Sequence, residues 1–235
     1  MPHVLVTGAS QGIGAAIAVA FAAEYGQTAR LSLVARNEAR LTAVARDCAE
    51  RRATAEPFGC DVTDDAAVEA LAERVTELFG PVDVLVNNAG RFTPGGLADT
   101  TPAAFREALG TNLTSAFLVT RAFLPAMVAR GSGRVLMMGS VASIRGYAGG
   151  LAYGAAKHGL LGLARALREE TKGSGVGVTV LLPGATVSPS WDGSGVDAAR
   201  MMPAEDIARV AVEVAGLSGR TVVEEILIRP DAGDL

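Results

Sequence analysis

Three side chains with a common chemical use lie in the second half of the chain: Ser140, Tyr153 and Lys157. Tyr153 and Lys157 are four residues apart, so on a helix they share one face. Reducing a ketone requires a proton donor to its oxygen while hydride reaches its carbon. An ammonium about 4 Å from a phenol, at an effective dielectric of about 20, favours the phenolate by roughly 4 kcal/mol, or about three pKa units, before desolvation opposes it. The spacing predicts an acid–base site in which Ser140 holds a carbonyl oxygen beside Tyr153.

The position of this trio matters more than the motif itself, because a Tyr-x-x-x-Lys pair alone is common. Here the pair opens a predicted helix, and Ser140 directly follows the preceding predicted strand. A long apolar helical stretch over residues 101–130 is expected to bend near Gly110, and Asn112, in its bent part, is expected to hold a water that passes protons through Lys157. Trp191, the single tryptophan, is expected either to stack on a flat substrate ring or to anchor a loop or subunit contact.

A glycine-rich turn near the start of the chain offers a place for a phosphate. Residues 4–7 are apolar, and three glycines then precede a long alanine-rich run, which predicts strand, tight turn and helix. Glycine permits positive φ and a close approach of phosphate to the backbone, and the helix N-terminus favours an anion. The alternative is an ordinary glycine-rich turn without a ligand. The predicted contacts are Gly8, Ser10, Gln11, Gly12, Ile13 and Gly14.

The elements that must position these residues alternate along the chain between apolar strands and helices. We predict an α/β fold: a single domain over residues 1–235, with a doubly wound, parallel seven-stranded sheet and helices on both faces. Right-handed crossovers give the strand order 3-2-1-4-5-6-7, and ligands of such sheets bind at the carboxyl ends of the strands. Residues 185–202 follow no period and are rich in Pro, Gly and Ser, so we expect a mobile substrate loop there.

The residues after the second, third and fourth predicted strands indicate the cofactor. Arg36 replaces the acidic residue of NAD-selective folds and can pair with a 2′-phosphate, which predicts NADP(H) unless Arg36 is only a solvated helix-start residue. Asp61 is expected to bind the adenine amino group or, alternatively, to cap the next helix. Asn87, Ala89 and Gly90 are expected to face the cofactor ribose, although amides at this place could instead tie strands together.

Composition and charge exclude several other partners. The formal net charge is −4 with both signs interspersed, so nucleic acid and anionic membranes are poor candidates. We see no signal peptide and no charge-free apolar run long enough to span a bilayer. Two lone thiols, Cys48 and Cys60, suit a cytoplasmic protein. Since the two histidines, His3 and His158, are far apart in sequence, we expect no metal site.

Taken together, these motifs resemble the short-chain dehydrogenases/reductases. The matching stretches lie in family order over nearly the whole chain: residues 7–14 (TGASQGIG), Asp61-Val62, residues 87–90 (NNAG), Asn112, Ser140, residues 153–157 (YGAAK) and Pro183-Gly184. The resemblance implies a Rossmann fold, a catalytic set of Asn112, Ser140, Tyr153 and Lys157, and a homodimer or homotetramer. It also implies cofactor contacts from the glycine turn, Asp61, Val62, Asn87, Lys157, Pro183 and Gly184.

The C-terminal third resembles the sepiapterin-reductase-like branch in residues 201–207, residues 220–230 and Trp191. This implies an NADPH-dependent reductase of a small carbonyl compound, aromatic or pterin-like, contacted by Ser140, Tyr153 and Trp191. Thr186 and Ser188 replace the usual residues after the Pro-Gly turn, and Ser188 is expected to supply the hydroxyl for the cofactor carboxamide. Two alternatives stay open: a 3-oxoacyl-carrier-protein reductase and a non-catalytic NADP(H)-sensing protein.

Overall fold

Seven parallel strands form one sheet in a computed structural model that describes residues 2–191, 193 and 195–233. The strands are β1 His3–Thr7, β2 Arg30–Ala35, β3 Thr54–Gly59, β4 Val84–Asn87, β5 Gly133–Met138, β6 Val176–Pro183 and β7 Glu225–Ile228. Their order, β3-β2-β1-β4-β5-β6-β7, confirms the predicted fold. The order turns between β1 and β4, and ligands of such sheets bind in the crevice beyond the carboxyl ends at that point.

Helices cover both faces of the sheet. They are α1 Gly12–Tyr25, α2 Glu38–Glu50, α3 Asp65–Phe79, α4 Pro102–Leu109, α5 Ser115–Arg130, α6 Leu151–Thr171 and α7 Ala204–Ala215. One apolar core lies between the sheet and α1, α2 and α7, and a second lies between the sheet and α3, α5 and α6. Alternate residues of β1 supply both cores, because Val4 and Val6 face the first and Leu5 faces the second.

Short polar side chains cap the N-termini of several helices. Asn37, Asp64 and Thr101 each accept a hydrogen bond from the backbone N–H three residues further on, at 3.0, 2.9 and 3.1 Å. Such a cap satisfies one of the donors that a helix N-terminus leaves free. Helix α1 differs, since its N-cap Gln11 makes no side-chain cap bond and its first turn holds no acidic residue. The N-terminus of α1 is therefore left without a capping side chain.

Three segments differ from the sequence-based expectation. Helix α6 begins at Leu151, whereas the sequence predicts its start at Tyr153, and β7 begins at Glu225, whereas the sequence predicts a strand over residues 221–229. The loop expected over 185–202 is paired at its base, because Met202 N donates to the Ala185 carbonyl at 3.0 Å. It also contains two short 3-10 turns, Pro189–Trp191 and Ala198–Arg200. Two positions of this loop, Asp192 and Ser194, lie outside the described residues.

The long helical stretch before residue 131 is interrupted where we expected a bend. A π-helical turn, Gly110–Thr114, joins α4 to α5 and carries Asn112. Such turns are frequent at functional sites because they change the direction of the side chains they carry. Within the part of the chain that the structure describes, Pro102–Arg130 is the one helix long and apolar enough to cross a membrane by length and composition. In this fold its inner face packs as a core helix, with Val119, Phe123 and Met127 buried against the sheet.

Candidate active site

The residues predicted to bind cofactor or substrate converge on the carboxyl edge of the sheet, because parallel strands end on the same side. Most of them lie at the end of a strand or just after it: Gly8, Ser10, Gln11, Gly12, Ile13 and Gly14 after β1, Arg36 after β2, Asp61 and Val62 after β3, Asn87, Ala89 and Gly90 at β4, Ser140 after β5, and Pro183, Gly184, Thr186, Ser188 and Trp191 at β6. The other three are Asn112, in the π turn, and Tyr153 and Lys157, in α6.

Packing requires two glycines of the β1–α1 turn. A Cβ on Gly14 would lie 2.3 Å from the Gly8 carbonyl oxygen, and a Cβ on Gly8 would lie 2.9 Å from the Ala89 Cα. Gly8 and Gly12 also have positive φ, at 65° and 55°. The Asn88 amide donates to the Gly8 carbonyl at 3.3 Å. The turn is therefore held tightly against the end of β4.

Two arginines lie near the end of β2. Arg36 is exposed and lowers the pKa of Asp61, after the larger effect of the Thr63 hydrogen bonds. Arg40, in α2, donates a hydrogen bond to the Gln11 side chain of the glycine turn. Sequence reasoning missed Arg40, although its spacing of four from Arg36 was a readable signal. The structure therefore brings a second guanidinium to the region where a 2′-phosphate is predicted.

Two predicted contacts have a partly structural role. Asp61 Oδ1 accepts from the Thr63 backbone N–H at 3.0 Å and hydroxyl at 2.7 Å, while the cap of α3 is Asp64. Asn87 Nδ2 donates to the Thr120 hydroxyl of α5 at 2.8 Å, so this amide does tie the sheet to its helix layer. Asn87 Oδ1 is nevertheless buried with no hydrogen-bond partner among the residues that the structure describes, which leaves one polar atom for a ligand or water.

Lys157, Tyr153 and Ser140 come together as predicted. Lys157 is buried, and its Nζ lies 2.7 Å from the Met138 carbonyl oxygen and 5.6 Å from the centroid of the Tyr153 ring. The Ser140 side chain hydrogen-bonds the Tyr153 side chain, and Ser140 Oγ accepts from the Ala142 N–H at 3.1 Å. The end of β5 and the first two turns of α6 thus place a hydroxyl, a phenol and an ammonium in one group.

The electrostatics of this group correct the sequence-based expectation. Burial raises the pKa of Tyr153 to about 12, and the hydrogen bond with Ser140 offsets only part of this increase. Burial also lowers the pKa of Lys157 to about 8. Both shifts have the same origin, since a buried environment disfavours each charged form. The expected lowering by the ammonium is therefore overridden by desolvation, and Tyr153 is a protonated phenol at neutral pH.

Asn112 has a structural role that the sequence did not predict. Its Oδ1 accepts from the Arg91 N–H at 3.0 Å, and its Nδ2 donates to the carbonyls of Arg91 (3.0 Å) and Ala108 (3.1 Å). The side-chain amide therefore fastens the loop after β4, and the water expected at Asn112 stays a prediction. Gly90 fits between Asn112 and Lys157, because a Cβ there would lie 2.7 Å from Asn112 Oδ1 and 3.5 Å from Lys157 Nζ.

The loop after β6 lies over the glycine turn. Thr186 is buried and its hydroxyl donates to the Gly184 carbonyl at 3.0 Å. Ser188 packs on the turn itself, since its Cβ is 3.3 Å from where a Cβ of Gly12 would be. Trp191 ends the 3-10 turn Pro189–Trp191, and its backbone N–H donates to the Ser188 carbonyl at 3.0 Å. The structure thus brings Ser188 to the glycine turn and Trp191 into the loop that covers it.

Sequence reasoning also missed two aromatic residues beside Tyr153. The Phe92 ring is 5.3 Å from the Tyr153 ring at an interplanar angle of 88°, and 6.3 Å from the Tyr147 ring at 38°. Both residues lie in irregular loops, after β4 and β5, where no periodicity marks a contact. Their position after strand ends was the one feature of the sequence that could have marked them as site residues, because this class of sheet binds its ligands there.

Comparison with known proteins defines the class. The family model described as short chain dehydrogenase matches residues 2–198, so this chain belongs to that family of oxidoreductases. This confirms the resemblance seen in the sequence.

The relatives include several reductases. Sepiapterin reductase of Chlorobaculum tepidum is 35% identical over 246 residues, covering 100% of this chain and 99% of that protein. The 3-oxoacyl-acyl-carrier-protein reductase FabG of Escherichia coli is 36% identical over 180 residues, covering 77% of this chain and 71% of that protein. A solved metagenomic short-chain oxidoreductase in complex with NADP has 35% identity and a TM-score of 0.86, over 97% of this chain and 96% of that one.

Proposed function

We propose that this oxidoreductase is an NADP(H)-dependent carbonyl reductase that acts on a small ketone, and that Tyr153 is its proton donor. One observation carries the proposal: the buried group of Ser140, Tyr153 and Lys157 at the carboxyl edge of the sheet, beside the glycine turn. The family model supports the class of reaction, and the sepiapterin reductase relative supports a reductase.

The residues at the sheet edge fit a dinucleotide phosphate. The bare backbone of the glycine turn and the uncapped N-terminus of α1 suit a pyrophosphate. Arg36 and Arg40 would pair with a 2′-phosphate, and the unpartnered Oδ1 of Asn87 offers an acceptor near the ribose. The NADP complex of the metagenomic relative supports the same cofactor. Lys157 would direct its remaining donors to the ribose, while Asp61, Val62, Ala89, Gly90, Pro183, Gly184, Thr186 and Ser188 would line the groove.

When bound, NADPH supplies the hydride for this chemistry. Tyr153 donates its phenolic proton to the carbonyl oxygen, which would otherwise carry the developing negative charge. Ser140 donates a hydrogen bond to the same oxygen and holds it beside the phenol. Lys157 carries a positive charge at neutral pH and stabilises the phenolate that remains on Tyr153. Asn112 acts as a positioning residue, through the loop that it fastens.

The protonation state of Tyr153 is that of a proton donor. An acid must hold its proton before the reaction, and burial raises the pKa of Tyr153 to about 12. Oxidation of an alcohol would instead use the phenolate as a base, which this environment disfavours. We therefore propose that Tyr153 acts as the acid in carbonyl reduction near neutral pH.

Assembly and location are part of the same proposal. A single protomer leaves three large apolar side chains exposed: Phe117 and Val128 of α5 and Leu227 of β7. Their exposure supports a homodimer or homotetramer. The two free cysteines are buried, which is compatible with a reducing cytoplasm. We also propose that residues 185–202 move when substrate binds, and that Trp191 then covers the substrate.

The test is oxidation of NADPH by the purified protein with sepiapterin, small diketones and a 3-oxoacyl thioester. We expect NADPH oxidation with at least one small ketone, more slowly with NADH, and transfer of deuterium from C4-deuterated NADPH to the carbinol carbon. Turnover of the acyl thioester alone would identify the carrier-protein reductase alternative. NADPH binding without turnover of any ketone would identify a cofactor-sensing protein.

A further inference from the structure

Two loops are fastened to each other beside Tyr153. The Gly95 N–H donates to the Gly149 carbonyl at 2.8 Å, and the Leu151 N–H donates to the Gly95 carbonyl at 3.3 Å. This bridge joins the loop after β4 to the loop that leads into α6. Because backbone hydrogen bonds hold both loops, the surface that they form is set before a ligand arrives.

The side chains presented by these loops are aromatic. Phe92 packs edge-to-face on Tyr153, and Tyr147 continues the surface beyond Phe92. The end of this aromatic surface that lies farther from Tyr153 is open to solvent, since Tyr147 is 46% exposed. We call Phe92 and Tyr147 the aromatic wall, and it leads from the solvent to the predicted proton donor.

Separate contacts hold the backbone next to Phe92 and the ring of Tyr147. Asn112 binds both backbone groups of Arg91, the residue before Phe92. Tyr147 rests on the residue before α6, since a Cβ on Gly150 would lie 2.5 Å from its Cε2 and 2.6 Å from its Cζ. A shift of the loop that carries Phe92 would therefore break the Asn112 hydrogen bonds, and a shift of the Tyr147 ring would break its contact with the start of α6.

We propose that the aromatic wall is a specificity determinant of the substrate site and selects ketones whose carbonyl is bonded to a planar ring over aliphatic ketones. The inference rests on the proposed reductase function. A planar ring covers the wall with little loss of rotational freedom, whereas a flexible chain must be ordered to cover the same area. Stacked or edge-to-face rings also attract each other more than an alkyl chain of similar area attracts a ring.

The experiment compares two diketones, phenylpropanedione and hexanedione, with wild type, Tyr147→Leu and Tyr147→Phe. We expect wild type to have the higher kcat/KM for phenylpropanedione. In Tyr147→Leu the ratio of the two kcat/KM values should fall by about three- to tenfold, which is the worth of one aromatic contact. Tyr147→Phe should keep the ratio, because it retains the ring. Leu78→Ala is the control: it removes an exposed apolar side chain from α3, at a similar exposed fraction of 53%, and should leave the ratio unchanged.

A second variant keeps the tyrosine but moves it. Gly150→Ala places a methyl group within 2.6 Å of the Tyr147 ring, so the ring must leave its position and the ratio should fall as in Tyr147→Leu. An unchanged ratio in Tyr147→Leu, or a wild-type preference for hexanedione, would overturn the inference. If neither diketone is reduced, the aromatic wall is tested instead by calorimetry of naphthol binding to the NADPH-saturated protein, and the proposed function fails only if no other ketone of the panel is reduced. Naphthol should then bind about three- to tenfold more weakly to Tyr147→Leu, and equal affinity would overturn the inference.

Discussion

Replacing Lys157 by methionine should abolish turnover and yet make the protein more stable at neutral pH. The pKa of this buried lysine falls from 10.5 to about 8, so keeping its charge in the folded chain costs about 3 kcal/mol at pH 7. The variant removes that cost and loses the hydrogen bond from the charged ammonium to the Met138 carbonyl, worth about 1.5–3 kcal/mol. The net gain of about 0–1.5 kcal/mol corresponds to a rise in Tm of up to about 6 °C.

The pH dependence of this difference is its most specific feature. Because the folded-state pKa lies below the unfolded value, the unfolded chain binds more protons between about pH 8 and 10.5. The stability of wild type therefore gains from Lys157 as pH rises through that window, and the variant lacks this gain. By pH 10 only about 1 kcal/mol of the cost remains, so the two Tm values should meet or cross.

The assay is thermal unfolding of the cofactor-free proteins from pH 7 to pH 10, with NADPH turnover measured on the same samples. We expect turnover to fall by on the order of a hundredfold or more in Lys157→Met. A Tm difference that stays constant over this range would refute the claim that burial sets the protonation of Lys157.

Further predictions concern the cofactor site and the sheet. Arg36→Asp should weaken NADPH binding by about tenfold or more and NADH binding much less, because only NADPH carries the 2′-phosphate; fluorescence titration would contradict this if the ratio of the two affinities stayed the same. Gly14→Ala should lose NADPH binding, since its Cβ would lie 2.3 Å from a backbone oxygen, whereas Gly162→Ala, at an open position of α6, should leave binding intact and raise stability by about 0.5–1 kcal/mol. His3 is buried with its pKa lowered mainly by burial, so stability should fall as pH drops below about 6.5, where only the unfolded chain gains the proton. His3→Gln should flatten this decline in thermal unfolding between pH 7 and pH 5, and an equally steep decline would show that another group is responsible.

The sheet and its functional edge were predictable from the sequence because they follow from general constraints. Parallel strands need crossover helices, and right-handed crossovers leave few possible strand orders. The glycine turn, Ser140 and the Tyr153–Lys157 pair then had to meet at the carboxyl ends of the strands. Functional residues that lie at strand ends can therefore be identified from the sequence without knowing how helices and loops pack.

Features that depend on packing between loops were not predictable. The aromatic contact of Phe92 with Tyr153 joins two irregular segments that no periodicity relates. The occupation of the Asn112 amide by Arg91 depends on the π turn, which the expected bend near Gly110 did not specify. The sequence predicted a lowered pKa for Tyr153, whereas burial raises it. The spacing of Tyr153 and Lys157 indicates their separation on a helix, but it does not indicate how deeply the two side chains are buried.

The most direct test of the central claim is single-turnover oxidation of NADPH by Tyr153→Phe, with a ketone that wild type reduces. The variant should bind NADPH within about twofold of wild type, because the phenol hydroxyl is proposed to act on substrate. Its rate of NADPH oxidation should fall by on the order of a hundredfold or more, since the carbonyl oxygen loses its proton donor. A rate equal to that of wild type would contradict the assignment of Tyr153 as the catalytic acid.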